Sequence, residues 1–266
     1  MSSIAGALTD GAVVAKRNVI KIKRVPEILV FVLISPIMFV LLFAFVFGDS
    51  INVPGGNYKE FLMAGIFTQT VLFGSTFTGA SLAEDMKSGV IDRFRALPMA
   101  RSAVLIGRTG SDVIYNVLTL IIMSLTGLIV GWRITSSVFG ALGGFLLLIL
   151  FAYASSWIMA FIGLIVPSPE VVNNASFIVI FPVTFIANTF VPLENLPAPL
   201  KAFAEWNPVS SVTLAARELF GNVPEGVTAP GAWPMQNPLL YSLIWIVGIV
   251  VVFAPLAARR YARAKG

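Results

Sequence analysis

Long apolar runs separated by short stretches of collected charge set the pattern of this chain. A helix that crosses a bilayer needs about 20 largely apolar residues. Six runs qualify, over 28–47, 60–82, 110–131, 138–165, 172–192 and 238–258. The fourth is long enough to tilt. The fifth, "FIVIFPVTFIANTFVP", places Pro182 in mid-run and Asn188 near its end. Proline removes a backbone hydrogen bond and clashes with the preceding turn, so a kink or a two-part span is expected there. The first run follows a basic stretch and reads "ILVFVLISPIMFVLLFAFVF". A cleaved signal has a shorter apolar core and a small-residue cleavage site, so this run reads as a retained helix.

Three pieces lie outside the runs. Drawn as a helix, residues 1–26 gather Lys16, Arg17, Lys21 and Arg24 on one side and Ile4, Leu8, Ala15, Val19 and Ile22 on the other. That is the pattern of an interfacial amphipathic helix on the inner leaflet, the alternative being a basic flank without defined structure. In "EDMKSGVIDRFRALPMAR" a short helix over 84–98 would carry an apolar stripe of Val90, Ile91, Phe94 and Leu97, with Pro98 ending it. Such a helix either inserts into a groove on a partner or snorkels its arginines among headgroups. The segment 193–237 is rich in proline, tryptophan and glycine, and "PVSSVTLAARELFGN" within it predicts a short helix stopped at Gly221. No internal repeat links the two halves.

Composition fixes the class. Apolar residues make up 57% of 266 positions, charged residues only 12%, and mean hydropathy is +0.89. Soluble domains carry about a quarter charged residues, so this is an all-α integral membrane protein. Charge position then predicts topology. Lysine and arginine gather before the first run (Lys16, Arg17, Lys21, Lys23, Arg24), between the second and third (Lys87, Arg93, Arg95, Arg101, Arg108) and after the sixth (Arg259, Arg260, Arg263, Lys265). The other side receives only Lys59, Arg133, Lys201 and Arg217. By the positive-inside rule both termini and the 83–109 loop face the cytoplasm.

Much chemistry is excluded. The chain has no cysteine and no histidine, which removes thiolate or imidazole metal sites, thiol nucleophiles and any mechanism with a histidine base. It has no Gly-x-x-x-x-Gly-Lys-Ser/Thr, so it binds no ATP through a P-loop. Ser75 in "FGSTFTGAS" lacks a base, since no lysine lies in a span. The charge nearest the middle of a run is Asp112, four residues after Arg108, where an i,i+4 structural ion pair is available. An ion-coupled carrier would need a midplane carboxylate or broken helices, and neither is visible. Nucleic-acid binding by the 83–109 loop is disfavoured by its acids and its tether to the membrane.

Neutral polar residues remain: Thr68, Gln69, Thr70, Ser75, Thr76, Asn116, Thr119, Asn173, Asn174, Thr184 and Asn188. These bond between helices or line a path. Thr68, Gln69, Ser75, Asn173, Asn174 and Asn188 are the candidate lining residues. Gly127–Gly131 and Gly140–Gly144 have the Gly-x-x-x-Gly spacing that lets helices approach closely.

The stretch "SGVIDRFRALPMAR…GR…D" resembles the signature of type-2 ABC exporter permeases, near the daunorubicin-resistance subgroup, and "NPVSSVTLAARELF" resembles that family's second recurring stretch. The resemblance covers nearly the whole chain and implies a single transmembrane domain over 1–266. It also implies a separate ATPase subunit that brings ATP and Mg, with two copies of each subunit. Glu84, Ser88, Gly89, Ile91, Arg93, Phe94 and Leu97 would then belong to the coupling helix that docks into the ATPase, with the N-terminal helix as a second contact. Short re-entrant helices would follow the fifth span on the outside, and substrate would pass at the permease dimer interface between spans two and five. The expected function is a permease, not an enzyme, exporting a hydrophobic or amphipathic small molecule across a bacterial or archaeal plasma membrane. A lipid-linked polysaccharide exporter and an ion-coupled carrier are the alternatives.

Overall fold

The computed structural model describes residues 26–48, 51, 53, 56–89, 103–223 and 231–263, and among these every regular element is helical. Helix α1 (Pro26–Leu41) runs into one π-helical turn, Leu42–Val46. Then come α2 (Tyr58–Gly74), α3 (Thr76–Lys87), α4 (Ala103–Val130), α5 (Val138–Gly163) and α6 (Pro169–Ile186). Two short helices, α7 (Ala198–Trp206) and α8 (Pro208–Phe220), precede the single turn α9 (Trp233–Gln236) and the long α10 (Pro238–Arg263). Five stretches are long and apolar enough to cross a membrane, over Tyr58–Lys87, Leu105–Val130, Val138–Gly163, Pro169–Ile186 and Pro238–Arg263, beside a shorter apolar helix at Ile34–Val46. The protein is therefore a multi-pass membrane protein.

Local chemistry explains the helix ends. The Asn57 side chain accepts from Lys59 N at 2.9 Å to start α2, and Ser137 Oγ accepts from Gly140 N at 3.2 Å to start α5. Asn207 caps α8 by accepting from Val209 N at 2.9 Å, with Pro208 at the first helical position. Gly221, at φ +75°, closes α8 in the left-handed region, as expected.

Helix α5 is the hub, packing on α2, α3, α4, α8 and α10. Its glycines make room. Gly144 faces the Phe220 ring and Gly140 faces the Leu219 carbonyl, so the "GALGG" stretch receives α8. An aromatic cluster of Phe67, Trp132, Phe145 and Phe220 fills the centre, with ring centroids 5.0–6.3 Å apart. Trp132 Nε1 donates to Asn222 Oδ1 at 2.7 Å and Asn222 Nδ2 donates to Arg133 O at 2.8 Å, pinning the α4–α5 turn to the end of α8. We call this the Tyr58 end of the bundle; the opposite, Lys87 end holds a second cluster of Leu82, Leu105, Leu164 and Tyr261.

Several sequence expectations need correction. Span two is not one helix: it breaks at Ser75, where the Ser75 and Thr76 hydroxyls donate back to Leu72 O (2.6 Å) and Phe73 O (2.7 Å), competing with the backbone ladder. Span three begins at Ala103, so Arg108 and Asp112 lie inside the helix. Span five starts at Pro169, passes Pro182 as a continuous helix, and stops at Ile186 instead of 192. Span six continues to Arg263. Of the helix expected over 84–98, Glu84 belongs to the last turn of α3, which Gly89 at φ +67° ends, and residues 90–98 lie outside the described residues. The short helix expected before Gly221 is present as α8, with nine buried residues between α2, α5 and α10.

Candidate functional site

A cavity of about 440 Å³ opens between α1, α2–α3 and α6. This is within the size range of small-molecule sites. Its apolar wall is Phe39 of α1, Phe73 of α2, Phe77 of α3, and Phe177 and Phe181 of α6. The polar lining is Ser35, Gln69, Thr70 and Thr76. Among the described residues no charged side chain lines it. Gln69 and Thr70 are 5% and 8% exposed, and neither side chain has a hydrogen-bond partner among the described residues. The break at Ser75 lies between Phe73 and Phe77, so the two halves of span two present those rings separately.

Of the six residues expected to line a path, only Gln69 lies on this cavity. Thr68 is buried and donates to Ala64 O at 2.9 Å, and Ser75 is buried in the break. Asn173 and Asn174 are exposed on α6 away from the cavity lining. Asn188 is buried beyond the end of α6, its backbone N–H donating to Ser210 Oγ at 3.2 Å.

Toward the Lys87 end, Asp112 is 7% exposed. The Thr78 hydroxyl of α3 donates to its Oδ2, and the Arg108 guanidinium, one turn earlier, acts on the carboxylate. Arg108 Nη2 also donates to Phe77 O at 3.4 Å, so α3 and α4 are joined by charge-assisted bonds beside the cavity. Replacing Thr78 with valine keeps the volume and leaves that buried carboxylate without its hydroxyl donor. The expected cost is about 1–3 kcal/mol, read as a lower thermal midpoint in detergent; an unchanged midpoint would exclude a holding role for this bond. The rest of the loop at this end carries Ile91, Arg93, Phe94 and Leu97, which lie outside the described residues, as do Lys16, Arg17, Lys21 and Arg24. Ser88 closes α3, its hydroxyl donating to Glu84 O at 2.8 Å.

One residue escaped the sequence reading. Arg217 of α8, counted above with the charges opposite the 83–109 loop, is 2% exposed. Its Nε donates to Phe61 O at 2.8 Å, its Nη2 to Asn188 O at 2.6 Å and Thr189 O at 3.4 Å, and the guanidinium lies 3.5 Å over the Phe61 ring. It thereby fastens the segment after α6 to the start of α2, helped by Tyr58 Oη donating to Phe190 O at 3.0 Å. A single cation inside the otherwise uncharged stretch "VSSVTLAAR" was the available signal.

Residues 11–220 match the family described as ABC-2 type transporter. The chain is 34% identical over 245 residues to a daunorubicin resistance ABC transporter permease of Streptomyces coeruleorubidus, covering 92% of this chain and 83% of that protein. It is 25% identical over 236 residues to a probable doxorubicin resistance ABC transporter permease of Mycobacterium tuberculosis, covering 88% and 81%. A putative transport permease of Cyanophora paradoxa is 22% identical over 214 residues, covering 79% and 73%.

Proposed function

The chain belongs to the ABC-2 type transporter family, and from that premise we propose that it is the permease of an ATP-driven exporter for hydrophobic or amphipathic small molecules. The observation that carries the substrate class is the cavity between α1, α2–α3 and α6, walled by phenylalanines and, among the described residues, lined by no polar group that carries a charge. A charged substrate would enter such a site at a high desolvation cost. A saccharide would present many hydroxyls to the four polar side chains there, which favours the small-molecule reading over a lipid-linked polysaccharide. The relatives named for daunorubicin and doxorubicin resistance agree with that class.

Energy comes from a separate ATPase subunit carrying ATP and Mg. Two ATPases closing on nucleotide drive two copies of this chain, and the 84–98 stretch passes the motion on through Glu84, Ser88, Gly89, Ile91, Arg93, Phe94 and Leu97. Helix α3 is the structural reason for placing the input there, since it runs from the cavity at Thr76 directly to Ser88 and Gly89. The Lys87 end then faces the cytoplasm of a bacterial or archaeal plasma membrane, with both termini on that side. The basic N-terminal helix is the second contact, through Lys16, Arg17, Lys21 and Arg24.

Co-reconstitution with a candidate ABC ATPase subunit tests this reading. ATP-driven uptake of an apolar dye into inside-out vesicles is expected. The double substitution R93E and F94A should weaken docking by about 2–4 kcal/mol and abolish dye-stimulated ATP hydrolysis. Full stimulation in that variant would refute the coupling role; transport driven by a proton gradient without ATP would favour a carrier instead.

A further inference from the structure

Away from the cavity, the segment between α6 and α10 turns an apolar face outward. Helix α7 leaves Pro199, Leu200, Ala202, Phe203 and Trp206 exposed, while its two charged residues, Lys201 and Glu205, are half-buried. At about 100° per residue those exposed positions fall on one arc of the helix. Another side carries Ala204, which is buried with Leu193 and Met235, so Ala204 and not the arc faces the protein.

An aromatic group continues this face. Trp206, Trp233 and Trp245 are 57%, 44% and 40% exposed, whereas Trp132 and Trp157 are 0% and 6% exposed. All three exposed rings meet Tyr241, with centroids 6.5, 6.0 and 6.3 Å from it and planes turned by 84°, 83° and 75°. Tyr241 Oη donates to Trp206 O at 2.9 Å, which fixes α7 to the first turn of α10. Trp245 lies one turn further on, about 6 Å along the axis. The ring group is thus about as deep as one interfacial layer of a bilayer, roughly 5–8 Å. Past Trp245, toward the Lys87 end, Val247 and Val251 extend the exposed face down a helix long and apolar enough to cross a membrane.

That continuity identifies what covers α7. The lipid that surrounds α10 reaches the arc without a break, and tryptophan and tyrosine favour the layer where one end of the ring is apolar and the other wet. Headgroup charge narrows the choice. Over α7, α9 and the first turn of α10, Lys201 is the one cation and Glu205 the one acid. A purely anionic headgroup gains little there, whereas an ammonium is attracted to the exposed faces of the indole rings.

We propose that α7 and the Trp206, Trp233 and Trp245 rings form a lipid-binding surface, set in the interface of the leaflet at the Tyr58 end, that takes a phospholipid with an ammonium headgroup such as phosphatidylethanolamine. The chains lie along the α7 arc and α10, and the ammonium lies against the indole faces. The binding is independent of the exporter reading; only the naming of that leaflet as the outer one rests on it. Each indole face lost should lower the preference for the ammonium lipid by about two- to fivefold.

Two measurements on the full chain in phosphatidylcholine nanodiscs test this. The first is tryptophan quenching by lipids brominated near the headgroup or near the chain end, and by aqueous iodide, each compared with the triple variant W206F, W233F and W245F. Quenching by the shallow bromines is expected, and the variant should lose most of it. Quenching by iodide alone would mean a face open to water, and protection from all three quenchers would mean a face covered by protein, such as a second copy; either overturns the proposal. The second is native mass spectrometry of retained lipid, with phosphatidylethanolamine and phosphatidylglycerol of equal chains added in equal amounts. The parent should retain the ethanolamine lipid about two- to fivefold better. The triple leucine variant, W206L, W233L and W245L, should lose that preference, and the triple phenylalanine variant should keep part of it. Thermal midpoints identify a variant that fails to fold, and the phenylalanine protein is the folded comparison. No preference in the parent, or an unchanged one in the leucine variant, would overturn the ammonium site. Neither reading uses ATP, so their failure leaves the exporter reading standing. The leaflet is checked separately with Asn195→Cys, the one thiol in a chain that has no cysteine. An impermeant maleimide should label it from outside intact cells, and labelling from the inside alone would overturn the outer assignment.

Discussion

Replacing Arg217 with alanine is expected to destabilise the protein by roughly 3–5 kcal/mol, the scale seen when one partner of a buried charged contact is removed. The guanidinium serves three carbonyls, Phe61 O, Asn188 O and Thr189 O, and covers the Phe61 ring. Each hydrogen bond to a charged group contributes about 1.5–3 kcal/mol, and each buried carbonyl left without a donor costs about 1–3 kcal/mol. Against this stands the relief of no longer burying a cation, several kcal/mol, which keeps the net effect below the sum of the losses. Arg217→Lys should fall between the two. An ammonium has three donors on one point and no planar face, so it cannot span the carbonyls and stack on Phe61 together. The thermal midpoint in detergent is the measurement, and a midpoint within about 1 kcal/mol of the parent would show that the segment after α6 is held by something else.

Why Arg217 was misread from sequence, while other features were not, has a physical reason. Helix α5 is observed at Val138–Gly163 against an expected 138–165, and Gly221 ends α8 as its position suggested. Both signals are local: an unbroken apolar run and a residue that tolerates positive φ. The position of Arg217 depends instead on three carbonyls from residues far away in the chain. Counting it with the charges of the side opposite the 83–109 loop said nothing of whether it is hydrated or buried. The same limit displaced span three, because Arg108 and Asp112 interrupt the apolar window although the helix, and the Thr78 hydroxyl that meets Asp112, accommodate them. Pro182 shows the limit from the opposite direction, since the two-part span it allowed is not the outcome. A local rule called for a kink or a two-part span; α6 runs through Pro182 as one helix, while the chain leaves the helix at Ala187 and Asn207 Nδ2 donates to Val183 O at 2.8 Å. Of the site, Gln69 was expected from the sequence and the phenylalanines of α6 were not. Which helices face one another across the cavity was not legible either, because apolar spans look alike on every side.

Gly163→Ala is the second substitution with a large expected effect, and its partner helix explains why. A Cβ at Gly163 would strike the Gly79 carbonyl oxygen and lie 2.8 Å from Gly79 Cα and 2.9 Å from its carbonyl carbon, all backbone atoms that cannot rotate away. Helices α3 and α5 would have to move apart, at a cost of about 1–3 kcal/mol or more for one added methyl. Gly248→Ala in α10 is the control, since nothing lies within 4 Å of its Cβ position. There alanine should be neutral or stabilising by up to about 1 kcal/mol, through its better helix propensity. The contrast matters for function because α3 connects the cavity to the Ser88–Gly89 turn. If motion enters at that turn, prying α3 off α5 should reduce dye-stimulated ATP hydrolysis in the reconstituted complex more than it reduces the hydrolysis measured without dye. Equal loss of both would mean that the Gly79–Gly163 contact serves packing alone.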